Sequence, residues 1–176
     1  MTMHRSEPVK PVIETERLAL RCLTLEDVDD LLRIFSDPEA MRYYPVTKGR
    51  QEATDWIDWN LKSYNEHGFG LWAAIRKDTG HFAGQCGLVW QRNVDGRDEI
   101  EIGYLFLREL WNAGFATEAA IACRDFGFAS LKRDRLVSLI DPANGASKRV
   151  AEKVGMSLEK EIDRWGKRIQ VYAIAK

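Results

Sequence analysis

Four places along this chain of 176 residues hold groups whose type and spacing suit chemistry. In "LWNAGFATEA" (110–119) a lone glycine, Gly114, stands just ahead of residues with helical spacing. A helix start leaves its first N–H groups unpaired and carries about half a positive charge from the backbone dipole, so a phosphate can rest there on main chain alone. Small residues at Ala113, Gly114 and Ala116 would admit it, and the Thr117 hydroxyl could add a donor. The same residues also suit a tight turn feeding a helix packed on a sheet. In "DPANGASKRVAEKVGM" (141–156) Asn-Gly after an apolar run fits a hairpin turn. Val150 and Val154 at helical spacing instead suit a helix with Asn144 at its start. Lys148, Arg149 and Lys153 then form a basic outer face, ready for solvent or for an anion. Glu99 and Glu101, two apart on a strand, share one face. A carboxylate there could act as a general base in a cleft, or simply decorate an exposed edge. Gly68-Phe69-Gly70 imitates a dinucleotide fingerprint but runs into a strand where a helix is required. No GxxxxGK[ST] phosphate loop occurs.

The elements that must hold these groups follow from periodicity. "RLALRCL" (17–23) alternates as a strand, and "TLEDVDDLLRIFSDP" changes to helical spacing. Thr24 with Asp27 resembles a capping box, Val28, Leu31, Leu32 and Phe35 form the buried stripe, and Pro38 blocks continuation. A second helix is predicted over 51–66. Strands are predicted at 68–75, 81–90, 99–107 and 135–140, with a last one at "RIQVYAI". Helices are predicted over 117–131 and 146–154, the latter closed by Gly155. Trp56, Trp59, Tyr64, Phe69 and Trp72 suit a core or the wall of a substrate cleft. Glu26, Asp27, Asp29 and Asp30 read as a solvated helix face. Residues 1–12, with Pro8 and Pro11, read as a flexible arm, and 13–176 as one α/β domain with at least six strands.

Composition narrows the function. A net charge of −1 offers no basic field for nucleic acid. No apolar run approaches the roughly 18 residues of a membrane span, and the polar N-terminus lacks a secretory pattern. Cys22, Cys86 and Cys123 are odd in number and far apart, against a disulfide framework or a CxxC site. The three histidines show no HxxxH pairing, so no metal is expected. A reducing cytoplasm is the expected location.

Taken in order, these segments resemble the GNAT N-acetyltransferases, and within them the RimJ/RimL-like branch, over about residues 14–172. "ETERLALRCLTLEDVDDLLRIFSDPEAMRYY" is similar to that branch's opening, "GFGLWAAI" to its third strand and "EIGYLFLRELWNAGFATEA" to its fourth strand and acyl-CoA loop. "NGASKRVAEKVGM" is similar to its Asn-x-x-Ser…Glu-Lys-x-Gly-Phe segment. The resemblance implies a splayed, mostly antiparallel mixed sheet of about six to seven strands flanked by helices. It implies acetyl-CoA wedged between the family's fourth and fifth strands, with pantetheine on the backbone of Leu105, Phe106 and Leu107. Pyrophosphate would sit on backbone amides of Asn112, Ala113, Gly114, Phe115, Ala116 and Thr117. Asn144 would face the thioester, Ser147 would protonate the leaving thiolate, and Lys148 and Lys153 would meet the CoA phosphates. Glu101, or Glu99 through a water, would be the base, and backbone N–H groups near Phe106 would steady the oxyanion. The segment departs from the branch at Asn112 and Ala113, where Gly and a basic residue are usual. At Ala151 many family members carry a tyrosine acid.

The implied reaction is direct acetyl transfer to a primary amine in a ternary complex. The acceptor is a protein N-terminal α-amine, such as that of a ribosomal protein, or a small amine, a polyamine or an antibiotic. A non-catalytic acyl-CoA sensor is the alternative. The sequence does not choose the acceptor, and a homodimer is compatible with it.

Overall fold

A computed structural model describes residues 9–176. Its strands form one open sheet, made of β1 (Pro11–Glu14), β2 (Leu18–Cys22), β3 (Leu71–Arg76), β4 (Phe82–Val94), β5 (Arg97–Phe106), β6 (Arg135–Ile140), β7 (Ser157–Arg164) and β8 (Lys167–Ala175). The order is β1-β2-β3-β4-β5-β6-β8-β7, antiparallel at every junction except β5–β6. Four helices cover its faces: α1 (Val28–Phe35), α2 (Arg50–His67), α3 (Phe115–Ala129) and α4 (Gly145–Val154).

The eight strands exceed the expected six to seven, and the two not anticipated are the edges. β1 includes Pro11 and Val12, placed above in a flexible arm; an edge strand tolerates proline because one side of its backbone needs no partner. Residues 1–8 of that arm lie outside the described residues. β7 (SLEKEIDR) buries only Ile162 and so shows no apolar alternation. The Asp95-Gly96 and Trp165-Gly166 turns have positive φ at both residues (49° and 92°, 54° and 73°), which suits two-residue hairpins closing β4–β5 and β7–β8.

The central strands are buried on both faces. Trp72 and Ala74 of β3 pack with Ala119, Ala120 and Cys123 of α3, while Ala73 packs with Leu31, Ile34 and Phe35 of α1 and Ile57 of α2. Cys86 and Cys123 are free thiols with Sγ atoms 3.6 Å apart in the core. The opening arginine-rich strand also ties down α1. Asp27, expected on a solvated face, is buried; it accepts the Thr24 N–H at 2.8 Å and both ends of the Arg21 guanidinium. No helix among the described residues is long and apolar enough to cross a membrane.

Candidate active site

The one parallel junction opens the sheet. β5 and β6 are in register only at Glu101 and Val137. The Ser138 hydroxyl donates to the Ile102 carbonyl at 2.9 Å, and beyond it the strands part. Tyr104 spans the gap by donating its hydroxyl to the Ser147 carbonyl of α4 at 2.8 Å. The resulting cavity of about 440 Å³ runs from β5 past the 110–117 segment to α4, with Glu39 and Tyr43 of the α1–α2 connection at one end and Arg149 and Lys153 lining α4.

The β5 edge facing this cavity follows from strand register. Leu107 N–H donates to the Ala83 carbonyl, and Leu105 stands opposite Gln85. Main-chain groups along a strand alternate sides, so Leu105 and Leu107 address β4 while Tyr104 and Phe106 address the gap. The Trp111 indole N–H occupies the Phe106 carbonyl at 3.0 Å. Of Leu105, Phe106 and Leu107, expected to carry pantetheine, Phe106 alone turns its main-chain groups to the gap, beside Tyr104. The Leu105 side chain still lines the cavity, and Leu107 is buried away from it.

The 110–117 segment presents bare amides. α3 begins at Phe115, two residues earlier than predicted, behind Gly114 at φ 83°. Its first intrahelical bond runs from Glu118 N–H to the Gly114 carbonyl, which leaves the N–H groups of Phe115, Ala116 and Thr117 without helical partners. Those three residues, with Asn112 and Gly114, line the cavity; Ala113 does not. Asn112 is also left-handed (φ 61°), a conformation that asparagine tolerates better than most residues after glycine.

On α4, Asn144 is the N-cap and accepts the Ser147 N–H at 3.1 Å. Asn144 and Ser147 both line the cavity. Lys148 turns away and donates to the Pro142 carbonyl at 2.7 Å, so of the two expected phosphate lysines only Lys153 reaches the cavity, joined by Arg149.

The two glutamates part company. Glu99 is 7% exposed and ion-paired to Arg97 at 2.6 Å and Arg135 at 3.0 Å, away from the cavity. Its placement is that of a structural anchor. Glu99→Leu is expected to cost about 2 kcal/mol in urea unfolding, less than the 3–5 of a fully buried pair because both arginines keep water. Affinity for CoA is expected to be unchanged in the same variant. Glu101, like Glu99, is not among the residues lining the cavity, but it sits at the branch point of the sheet, partly buried and three residues before the lining Tyr104, with Oε2 accepting the Leu139 N–H at 3.3 Å. Burial pushes its carboxyl up to about 8, with the Leu139 N–H and the Arg164 charge opposing. Burial raises the Tyr44 phenol, and the nearby Glu101 charge adds to the rise.

Residues 17–157 match the family described as acetyltransferase (GNAT) domain. The chain belongs to the GNAT acetyltransferases. Among its relatives, protein YkkB of Bacillus subtilis (strain 168) is 43% identical over 93% of this chain and 95% of its own length. The N-acetyltransferase p20 of Bacillus licheniformis is 35% identical over 84% of this chain and 82% of its own. The crystal structure of an acetyltransferase from Agrobacterium tumefaciens str. C58 superposes with a TM-score of 0.82 at 27% identity, covering 100% of this chain and 99% of that one. This GNAT chain is thus an N-acetyltransferase with the family's splayed α/β sheet. GNAT enzymes take their acyl group from acyl-CoA.

Several residues of the GNAT cavity escaped sequence reading. Tyr104 carries no sequence signal of its own, and its reach to Ser147 across the gap is what makes it a cavity residue. Glu39 and Tyr43 lie in the connection before α2, where no periodic signal exists. Trp72 and Phe69 belong to the core rather than to an acceptor wall, and Trp59 is exposed. Trp56 donates to Gln85, and Tyr64 bonds the main chain at Leu23 and Leu71.

Proposed function

We propose that this GNAT enzyme transfers an acetyl group from acetyl-CoA to a primary amine by direct attack in a ternary complex. The observation that carries this reading is the β5–β6 gap, whose main-chain edge, open at Tyr104 and at the Phe106 N–H, leads to three bare amides at the start of α3. That arrangement suits a long, thin, hydrogen-bonding chain ending in phosphate. Tyr104 would pair its main-chain groups with pantetheine as an added strand, which leaves the Phe106 N–H for the reacting carbonyl, and residues 112–117 would receive the pyrophosphate, with no basic side chain needed inside the loop. Arg149 and Lys153 add positive charge along α4. Acetyl-CoA supplies an activated thioester.

The remaining work falls to the protein. The Phe106 N–H, directed into the gap, is aimed to steady negative charge on the reacting carbonyl oxygen. The Ser147 hydroxyl, which lines the cavity and bonds none of the described residues, is the proton donor to the departing sulfur. Glu101 takes the proton from the amine. An α-ammonium with pKa about 7.8 hands its proton to a carboxyl at about 8 with little cost. A lysine-like ammonium at about 10.4 faces an uphill transfer of roughly 3 kcal/mol. It is also only about 0.04% neutral at pH 7, against on the order of 10% for the α-amine. An α-amine acceptor is therefore favoured over a polyamine.

The test is a thiol-release assay with mass detection over a library of peptides with free N-termini, polyamines and aminoglycosides. Acetylation of an N-terminal α-amine is expected, and acetyl-CoA that binds but never turns over would mark a sensor. Access to Glu101 has its own check. A Cβ on Gly103 would stand 3.8 Å from Glu101 Oε1 and 3.3 Å from Leu71 Cδ2, so a larger side chain would roof the carboxylate. Gly103→Val is expected to raise the acceptor KM about tenfold while the Kd for CoA stays the same.

A further inference from the structure

The "RLALR" strand carries two arginines, and the function above uses neither. Arg21 is occupied with Asp27, but Arg17, one residue before β2, reaches across to the 110–117 segment. Its Nη1 donates to the Ala113 carbonyl at 2.9 Å and its Nε to Glu118 Oε2 at 2.6 Å. Its guanidinium lies 4.2 Å over the Phe115 ring, and Nη2 comes within 3.3 Å of where a Cβ on Gly114 would stand. Glu118 Oε1 closes the cluster by accepting the Arg17 main-chain N–H at 2.8 Å and the Thr15 hydroxyl at 2.6 Å.

Peptide planarity turns this contact into a direction. In a trans peptide the carbonyl and the following N–H point opposite ways. With the Ala113 carbonyl held on Arg17, the Gly114 N–H faces away from it. Gly114 lines the cavity and Ala113 does not. The segment needs such a clamp because left-handed residues, Asn112 and Gly114, stand on either side of Ala113, and the glycine leaves the 113–114 peptide free to rotate. The planar fork of arginine meets the carbonyl and the Glu118 carboxylate together, which an ammonium cannot do in the same geometry.

We infer that Arg17 is a positioning residue for the CoA pyrophosphate: by gripping the Ala113 carbonyl and Glu118 it turns the Gly114 N–H into the cavity and aligns the amides at the start of α3. Arg17 acts from behind the segment and does not itself line the cavity. The inference rests on the reading that residues 112–117 seat the pyrophosphate.

The experiment compares CoA with pantetheine, which lacks the pyrophosphate, on the full chain and its Arg17→Ala and Arg17→Lys variants. Isothermal titration follows CoA, NMR titration follows pantetheine, and circular dichroism reports folding. Both variants are expected to bind CoA about tenfold more weakly and pantetheine as the parent does, with the acceptor KM unchanged. If Arg17→Ala does not fold, Arg17→Lys carries the comparison. Parent-like CoA affinity in either folded variant overturns the inference; in the lysine variant it would mean that charge rather than the fork matters. Equal losses for CoA and pantetheine overturn it too, by showing general damage to the cavity. A parent protein that binds CoA no better than pantetheine overturns the pyrophosphate reading itself and the inference with it.

Discussion

Gly114→Val is expected to weaken acetyl-CoA binding by 10- to 100-fold, measured by isothermal titration. The backbone at Gly114 is left-handed (φ 83°), where a β-branched residue is strained by about 1–3 kcal/mol. The new Cβ would also press on Arg17 Nη2 at 3.3 Å. The segment is expected to escape by rotating its peptides, which misdirects the amides at the start of α3. Each 1.4 kcal/mol so lost is tenfold in affinity. The strain sits in a surface segment, so the fold is expected to survive, and thermal unfolding should show a fall of only a few degrees. Unchanged affinity would remove residues 112–117 from the phosphate site.

Glu101→Gln is expected to lower kcat/KM by about 100-fold near pH 8, within the range of general-base catalysis. With the carboxyl raised to about 8, parent activity should climb as pH rises to that value, because protonated Glu101 cannot accept a proton. The deficit of the variant should shrink toward pH 10, where free amine is abundant and needs no base. A uniform loss at every pH would point to damaged geometry. Stability supplies an independent check with its own sign. The folded carboxyl lies above its unfolded value of about 4.3, so the fold holds a proton that the unfolded chain releases. Parent stability should therefore fall as pH rises from about 4.5 to 8. The glutamine variant should lack that slope and match or exceed the parent in Tm at pH 9.

The features that were legible in sequence are those decided within a few residues. Gly114 ahead of α3, Asn144 at the cap of α4, Gly155 in left-handed closure at φ 98° and the inner strands all follow from backbone freedom, side-chain caps and periodicity. The edge strands β1 and β7 escaped because an edge has one partner and little to bury, so proline and charge are allowed there and the alternating signal fades. Glu99 and Glu101 show the limit most clearly. Spacing puts both on one face, yet Glu99 meets Arg97 and Arg135 and becomes an anchor, while Glu101 falls at the branch point with one backbone N–H for company.

By itself, then, the chain's order of residues determined the family, the helices that begin and end the site, and the glycine on which the phosphate reading turns. Tertiary structure decided which groups face the cavity. The β4–β5 register directs Tyr104 and Phe106 outward in place of Leu105 and Leu107, and Arg17 arrives at Ala113 from 96 residues away. The physical reason is common to both: the direction of a hydrogen bond across a sheet, or between a strand and a distant loop, depends on which partner is already paired. Local propensity carries no record of that pairing.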